Sequence, residues 1–437
     1  MKKIISLLKG KLAQNAGWLI GAKIYQMVTN LAISMLMARY LGPGNFGLVN
    51  YAASFTTLFT AICTLGIDSI LVNELLQDRK KNGTQLGSAI GLRLCSSGLS
   101  VVTILGLAWV LNPTEPITVQ VVLLYSISLM FQTFDSINCW FQANLESKVT
   151  ALVSAAGYTV AAGYKAFLLI SEKDVRWFAV SHAVEYAFVA VLLLVSYRKS
   201  RNRLQPIRFD RKVGMGLLSK SYHFIISGMM IALYGQMDRV MLKSMISEEA
   251  VGYYSCASTI SSFWAFVLVA IIDASRPVIL AKYSENKRAF EVGLIRLYGV
   301  IIYLSALATL GLTLLSKPLI WIMFGQDYLS PTVQWTLSIL SCGTAFAYLG
   351  VARSIWLVPN GKQKFAKYIA ACGAAGNLIL NLLLIPTLGI LGAAIATVAT
   401  QIFNNLILGF LMPSIRENNK LILKAFVFWR YLKEPKG

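Results

Sequence analysis

The chain has 437 residues, of which 56% are hydrophobic and only 14% are charged. A soluble domain carries about 25% charged residues, so this composition excludes an ordinary soluble protein. The formal net charge is +21, which in a soluble protein would suggest nucleic-acid binding. Because the apolar runs here are long and continuous, we expect helices that cross a lipid bilayer. We expect no nucleic-acid partner and no outer-membrane barrel, whose strands alternate polar and apolar residues.

Residues 1–12 are basic and amphipathic, and a long apolar stretch without a cleavage pattern follows them. We therefore expect the first span to be kept rather than removed as a signal peptide. A bilayer core needs roughly 20 apolar residues per helix. The chain then predicts about twelve spans, at 14–38, 45–70, 87–111, 117–141, 149–170, 177–197, 217–241, 250–274, 291–315, 330–357, 365–385 and 389–412.

Lys and Arg are distributed unequally between the two sides of this arrangement. With the N-terminus placed in the cytoplasm, the termini and alternate connections hold most of the 40 basic residues. The opposite side holds Arg39, Lys173, Arg176, Arg239, Lys243 and Lys317. Because basic residues in short connections favour the cytoplasmic side, we predict that both termini are cytoplasmic.

The longest connection divides the chain nearly in half. We predict an N-terminal six-helix bundle over 1–200, a basic cytoplasmic linker over 201–216, a C-terminal six-helix bundle over 217–412 and a basic amphipathic cytoplasmic tail over 413–437. Such a tail is too short and too basic to span, and suits a helix lying on the anionic inner surface.

The two halves also echo each other in sequence. Three positions of the first half recur at the same spacing in the second: Gly47, Ala52 and Asp68, then Gly252, Ala257 and Asp273. Repeats with an even number of helices are parallel. The sequence therefore predicts an all-α integral membrane protein with two six-helix bundles related by a pseudo-two-fold axis along the membrane normal.

Polar and charged side chains recur on single faces of several predicted spans. An ionisable residue inside a span costs about 2.5–3.5 kcal/mol and usually faces the bundle interior or a water-filled cavity. Since these faces come from both halves, we expect them to line one shared cavity; helix–helix packing is the alternative for Ser and Asn. The candidate substrate-binding residues are Lys23, Gln26, Asn30, Arg93, Asp135, Lys165, Lys220 and Arg353.

The positive charge of most of these candidate side chains indicates the charge of the cargo. Lys23, Arg93 and Lys165 lie furthest from the connections, whereas Lys220 and Arg353 lie nearer the cytoplasmic side and can snorkel to the interface. A phosphate or pyrophosphate satisfies several Lys and Arg donors at once, so we predict an anionic substrate.

Carboxylates inside the spans could pair with these bases or bind a coupling proton or cation. The candidates for the coupling ion are Asp68, Glu185 and Asp273. His182 and His223 could titrate near neutrality, but a lone His in a helix is more often structural. The six cysteines lie in apolar runs without a metal-ligand spacing, so we expect no metal site and no cofactor.

The external connections are short, which argues against a membrane enzyme. A membrane glycosyltransferase or polymerase usually holds its catalytic carboxylates in a sizeable external loop, and the first external connection, 39–44, has no carboxylate. The chain also lacks the glycine-rich ATP-binding motif that ends in Gly-Lys-Ser/Thr. We expect a transporter and not an enzyme, although buried carboxylates could in principle do acid–base work.

Four stretches resemble the Wzx-type oligosaccharide and polysaccharide flippases of the multidrug/oligosaccharidyl-lipid/polysaccharide superfamily. They are ARYLGPGNFGLVNYAASF, DSINCWFQANLES with Trp140, Phe141, Gln142 and Glu146, MDRVMLKSMISEEAVGYYSCAS, and NLILNLLLIPTLGILGAAIATV. None of these stretches is catalytic. Their order and spacing along nearly the whole chain carry the resemblance.

The resemblance implies a central cationic cavity with alternating access. It implies an undecaprenyl-pyrophosphate-linked oligosaccharide as cargo, moved from the inner to the outer leaflet of the bacterial inner membrane for O-antigen, capsule or a related glycan. Lys23 and Arg93 would hold the pyrophosphate, and the lipid tail would pass between the bundles. The resemblance leaves open whether a polysaccharide polymerase or a chain-length regulator is a partner. It also leaves open which sugars the cargo carries and which ion is coupled to transport.

Two other cargoes fit the same superfamily. A cation-coupled drug exporter would favour an acidic, aromatic cavity, and the basic residues of the first, third and fifth spans argue against it. Flippases of the lipid-linked peptidoglycan precursor commonly carry two additional helices, for which this chain has no room.

Overall fold

The computed structural model describes residues 11–200, 205–283 and 286–431. Within these ranges the chain is helical and contains no strand. Eleven helical stretches of this part are long and apolar enough to cross a membrane, which confirms an all-α, multi-pass membrane protein. The predicted amphipathic start lies almost wholly outside the described residues, as do the first residues of the linker and the end of the tail.

The chain divides into two compact units, Met1–Gln236 and Met237–Gly437. The helices of the first unit are α1 (Lys11–Thr64), α2 (Asp68–Gln77), α3 (Asn82–Leu111), α4 (Pro116–Ser126), α5 (Ser128–Gln132), α6 (Ser136–Ala143), α7 (Ser147–Ile170), α8 (Val175–Lys199) and most of α9 (Arg211–Met245). In its core, the Trp140 ring packs edge-on against Phe141 at 5.1 Å and Tyr197 at 5.0 Å. The predicted division at the linker stays a prediction.

Helix α1 contains a kink at Gly42. A straight helix of its 54 residues would be about 80 Å long, more than twice the thickness of a bilayer core. Gly42 has a φ of 68°, which L side chains rarely adopt, and Pro43 then cannot donate a backbone hydrogen bond. Helix α1 thus holds both of the first two predicted spans. Whether it crosses once or twice decides between eleven and twelve spans.

The predicted fourth span, 117–141, is interrupted. It consists of α4, α5 and α6, with a 3₁₀ turn at Thr133–Asp135. The hydroxyls of Ser126 and Ser128 donate to carbonyls three residues earlier, at 2.9 Å and 2.7 Å. Such bonds compete with the helical ladder and often bend membrane helices. The interruption sets the position of Asp135, which is described below.

The described part of the predicted linker, from residue 205 onward, lies along α3. The Arg208 amide donates to the Gly83 carbonyl at 3.2 Å, and the Ser88 hydroxyl donates to the Asp210 carbonyl at 3.0 Å. The two backbones are so close at Gly87 that a Cβ there would lie 2.2 Å from the Arg208 oxygen. Glycine is therefore required at this position. We call this contact the linker seat.

The second unit contains the end of α9 and its own set of helices. They are α10 (Glu248–Phe263), α11 (Phe266–Ala281), α12 (Lys287–Leu314), α13 (Ser316–Phe324), α14 (Pro331–Leu357), α15 (Phe365–Leu388), α16 (Ile390–Ile402), a π turn at Phe403–Ile407, α17 (Leu408–Leu411) and α18 (Arg416–Ala425). Its core contains apolar side chains of α11, α12, α14 and α18, among them Leu294, Tyr298 and Trp356.

Helix α18 occupies the start of the predicted tail and is held against α12. The Tyr298 hydroxyl donates to Asn418 Oδ1 at 2.6 Å, and the Tyr303 hydroxyl donates to the Phe426 carbonyl at 2.6 Å. Arg296 donates to the Tyr431 carbonyl at 2.6 Å. Because these bonds run along the length of the tail, α18 is a fixed part of the second unit rather than a loose appendage.

Candidate functional site

Arg93 is the largest charged side chain in the interior of the first unit, with 1% of its surface exposed. Its guanidinium donates to the Thr64 carbonyl at 3.0 Å, to Ser136 Oγ at 3.0 Å and to Asp68 Oδ1 at 2.7 Å. These partners belong to α1, α6 and α2, so a residue of α3 joins three other helices. An anion could reach this guanidinium only by displacing one of those partners.

Asp68 is the accessible end of this ion pair. Its side chain is 55% exposed, although its partner Arg93 is buried. The Cys139 thiol donates to the same carboxylate oxygen at 3.3 Å. The predicted coupling residue Asp68 and the predicted substrate-binding residue Arg93 therefore form a single charge pair. In this arrangement Asp68 is the member that a solute would meet first.

A second group of charged residues lies in the first unit, on α7 and α8 and on the 3₁₀ turn before α6. Lys165 and Glu185 interact electrostatically, and His182 Nδ1 lies 4.0 Å from Glu185 Oε2. Asp135 lies within electrostatic range of both Glu185 and Arg93. We call Asp135, Lys165, His182 and Glu185 the first-unit polar cluster. It brings together three of the residues predicted from sequence.

Aromatic side chains line this polar cluster. The His182 ring stacks on Tyr125 at 4.4 Å and meets Tyr186 edge-on at 5.0 Å. Gln132 donates to the Tyr186 hydroxyl at 3.4 Å. Aromatic faces beside carboxylates and hydroxyls offer apolar surface and hydrogen bonds together. Chemically, such a wall can pack against a sugar ring while bonding its hydroxyls.

The predicted residues of α1 lie on one exposed stretch of that helix. Lys23 and Asn30 are exposed and Gln26 is half-buried. The Lys23 ammonium donates to Gln26 Oε1 at 3.0 Å. Because this contact is local to one helix, Lys23 remains available to a second acceptor such as a phosphate oxygen.

Two further predicted residues, Lys220 and Arg353, lie apart from the polar cluster. Lys220 pairs with Glu74 at 2.5 Å near the start of α9. Arg353 is 2% exposed and donates to the carbonyls of Asn404 and Asn405, which belong to the π turn after α16. Each therefore has a protein partner of its own that fixes its position.

A group missed by the sequence prediction lies in the second unit. Asp238, 5% exposed, accepts hydrogen bonds from Tyr254 at 2.6 Å and Thr397 at 2.5 Å through Oδ2, and from Asn381 at 2.6 Å through Oδ1. Asn381 also donates to Asn377 Oδ1 at 3.1 Å. The residues come from α9, α10, α15 and α16, and we call them the Asp238 cluster.

The three groups that donate to the buried Asp238 carboxylate are uncharged, and Arg239, which lies within electrostatic range of Tyr254, donates to Ser255 and Ser258. Such a carboxylate favours binding of a proton or a small cation. The other acidic candidate of this unit, Asp273, is exposed on α11. Elsewhere in the described residues, no group of three or more His, Cys, Asp or Glu side chains could hold a metal ion.

The Asp238 cluster could have been suspected from one signal. Asn377 and Asn381 are four residues apart in an apolar run, which places them on one face of α15. Asp238 lies near the end of the predicted span 217–241, where a charged side chain can reach the membrane interface. Helix α9 instead continues to Met245, so Asp238 lies well inside it.

Comparisons with known proteins connect this geometry to a family. Residues 12–283, more than half of the chain, match the model of a family described as polysaccharide biosynthesis protein. Capsular polysaccharide biosynthesis protein CapF of Staphylococcus aureus is 18% identical over 393 residues, covering 89% of this chain and 96% of that protein. Membrane protein MJ1068 of Methanocaldococcus jannaschii, itself uncharacterized, is 29% identical over 229 residues, covering 49% of this chain and 44% of that relative.

Solved structures share the fold. The lipid II flippase MurJ in an inward closed conformation superimposes with a TM-score of 0.70 at 16% identity, covering 96% of this chain and 94% of that one. An inward-facing multidrug resistance MATE family transporter of the MOP superfamily gives 0.68 at 15% identity, covering 91% and 96%. The resemblance to polysaccharide-exporting proteins drawn from the sequence is confirmed by the family match, and the fold is shared with these transporters. The chain belongs to the polysaccharide biosynthesis protein family and has the transporter fold of the MOP superfamily.

Proposed function

We propose that this protein is a flippase that moves an undecaprenyl-pyrophosphate-linked oligosaccharide from the inner to the outer leaflet of a bacterial inner membrane by alternating access. The observation that carries the proposal is the family match over residues 12–283. The name of its capsular polysaccharide relative and the lipid II flippase among its structural neighbours support the same class of cargo. O-antigen, capsule and related repeat units all fit this chemistry.

The distribution of charge in the first unit supports an anionic, sugar-bearing cargo. Lys23 is exposed with only a local partner, and Lys165 lies beside Glu185 in the polar cluster. We propose that Lys23 contacts the pyrophosphate first and that Asp135, Lys165 and the neighbouring tyrosines contact the sugars. Arg93 would join only when the cargo displaces Asp68 from it.

We propose that transport is coupled to a proton or a monovalent cation. The Asp238 cluster supports this, because three uncharged donors converge on one buried carboxylate. Asp68 and Glu185 are the alternatives in the first unit, and Asp273 is the exposed alternative in the second. Asp238 is the strongest of the four, because it is buried and its three hydrogen-bond donors are uncharged.

The test is complementation of bacterial strains that lack their own lipid-linked oligosaccharide flippase. We expect the wild type to restore surface glycan in a strain of matching repeat unit. Lys23→Gln and Lys165→Gln should each reduce the restored surface glycan by about tenfold, because each variant removes one charge-assisted contact with the cargo. Lys317→Gln, which removes a lysine outside the predicted polar faces, is the matched control.

Membrane levels of every variant are measured by immunoblot in the same cells. If all variants restore surface glycan equally, Lys23 and Lys165 do not bind the cargo, although the proposal that the protein is a flippase would still hold. Failure in every host, together with resistance to cationic drugs, would favour the drug-exporter alternative instead.

A further inference from the structure

A small polar pocket lies in the second unit, where helix α18 meets the ends of α12 and α14, two helices long enough to span a membrane. It has a volume of about 160 Å³. Lys287 is the first residue of α12, and Lys420 and Lys424 lie one turn apart on α18. Three lysines thus line one opening. Nothing in the proposed transport cycle uses them.

The lysines of this pocket stand outside the ion pairs formed among the described residues. In the described part of the chain, none of Lys287, Lys420 and Lys424 forms an ion pair. Two carboxylates, Glu291 and Glu417, line the same opening and are likewise outside any ion pair there. Unpaired groups of both signs within one pocket suit a ligand that carries both charges.

The floor of the pocket is aromatic and rigid. Phe290 and Trp356 are buried, and the Tyr283 ring meets Phe290 edge-on at 5.0 Å. The bonds from Tyr298 and Tyr303 to the tail, described above, hold α18 in place. Since α18 is held against α12, the backbone positions of the lysines are set before a ligand binds, which lowers the entropic cost of binding.

The position of the pocket points to a lipid rather than a soluble ligand. The pocket lies at the start of α12 and the end of α14. Both helices are long and apolar enough to cross a membrane, so their ends, and the pocket with them, lie at the depth of the lipid headgroups. Beside it the tail exposes Leu423, Phe426 and Trp429, as an amphipathic segment does at the boundary between headgroups and acyl chains.

We propose that this pocket binds the headgroup of a zwitterionic aminophospholipid. The lipid phosphate accepts hydrogen bonds from Lys287, Lys420 and Lys424, and its ammonium group donates to Glu291 and Glu417. The bound lipid fastens the tail of the second unit to the membrane surface. This inference does not depend on which cargo the protein transports.

The test is native mass spectrometry of the full-length protein in detergent, titrated with phosphatidylethanolamine, phosphatidylglycerol or diacylglycerol of identical chains. We expect phosphatidylethanolamine to bind most tightly and diacylglycerol least. Lys420→Gln combined with Lys424→Gln should weaken phosphatidylethanolamine binding about 30-fold, the combined effect of two lysines beside a phosphate. The control, Lys173→Gln with Lys317→Gln, makes the same charge change elsewhere and should bind as the wild type does.

A second double variant, Glu291→Gln with Glu417→Gln, should abolish the preference for phosphatidylethanolamine over phosphatidylglycerol. Equal binding of phosphatidylethanolamine and diacylglycerol, or unchanged binding by the lysine variant, overturns the proposal. Millimolar inorganic phosphate is added as a competitor: full displacement of the lipid would assign the pocket to soluble phosphate instead, and no displacement supports the lipid. All variants change side chains on the surface or rim, and size-exclusion chromatography checks their folding.

Discussion

At the scale of single residues, burial separates Arg93 from the other predicted cations. Arg93→Ala removes three hydrogen bonds, one of them to a carboxylate. Since Asp68 is half exposed and regains water, we expect a loss of about 3 kcal/mol and a midpoint of thermal unfolding roughly 5 °C lower. Thermal unfolding of the purified protein in detergent measures this.

The matched control is Lys23→Ala, because Lys23 is exposed and bonds only to Gln26. Its unfolding midpoint should stay within about 1 °C of the wild type. An Arg93→Ala protein of wild-type stability that has nevertheless lost transport would contradict the structural role given to Arg93. It would make that residue a direct contact of the cargo.

Asp238 carries a different prediction, because the three groups that donate hydrogen bonds to it are uncharged. Asp238→Asn keeps the shape of the side chain and removes the charge. An ion that binds only the folded protein raises its stability. We therefore expect the unfolding midpoint of the wild type to rise as the coupling ion is added, and that of Asp238→Asn to stay unchanged. Unfolding is measured across a sodium titration at constant ionic strength, and separately across pH.

Asp273→Asn makes the same chemical change at an exposed carboxylate of α11 and serves as the control. If that variant loses the ion response while Asp238→Asn keeps it, the coupling site lies at Asp273. The prediction for Asp238 would then be wrong.

Sequence alone could place several of these side chains on helix faces but could not pair them. The period of α3 puts Arg93 on an interior face, yet nothing local shows that Asp68 and Ser136 neutralise it. The pairing depends on contacts between helices that are distant in the chain. The predicted span 217–241 stops short of the end of α9 at Met245, so the sequence places Asp238 closer to a helix end than the structure does.

At the scale of secondary-structure elements, hydrophobic length predicted most helices well. Span 330–357 corresponds to α14 and span 149–170 to α7, within two residues. Long apolar runs must satisfy their backbone internally, so only a helix is available to them. The sequence predicted a connection at 39–44 where the structure has a kink at Gly42 within one helix. The interruption before α6 was not predicted, because serine back-bonds leave hydropathy unchanged.

The linker seat gives a prediction for the contact between two elements. In Gly87→Ala the new methyl group would lie 2.2 Å from the Arg208 oxygen, so the linker must move. We expect a cost of about 1–3 kcal/mol from overpacking, visible as a lower unfolding midpoint. Gly98→Ala in the same helix has open space around it and should gain up to about 1 kcal/mol from helix propensity. Equal midpoints for the two variants would show that the linker does not rest on α3.

At the scale of the whole molecule, charge and hydropathy together predict orientation as well as fold. The basic residues gather in the termini and in alternate connections, including the one around Lys364. Basic segments resist translocation and also attract anionic lipids of the cytoplasmic leaflet. The orientation of the termini is therefore a prediction of the sequence that membrane labelling can test directly.

A single cysteine is placed at Lys173 or at Lys364 in a variant without the six native cysteines that still restores surface glycan. Both positions are exposed in the connections between span-length helices. If the termini are cytoplasmic, a membrane-impermeant maleimide labels Lys173→Cys on intact spheroplasts and labels Lys364→Cys only after permeabilisation. The reverse pattern would invert the whole topology and move the lysine pocket of α18 to the outer surface. Labelling of both positions from outside would mean that the number of crossings between them is even, because each crossing changes the side on which the next connection lies.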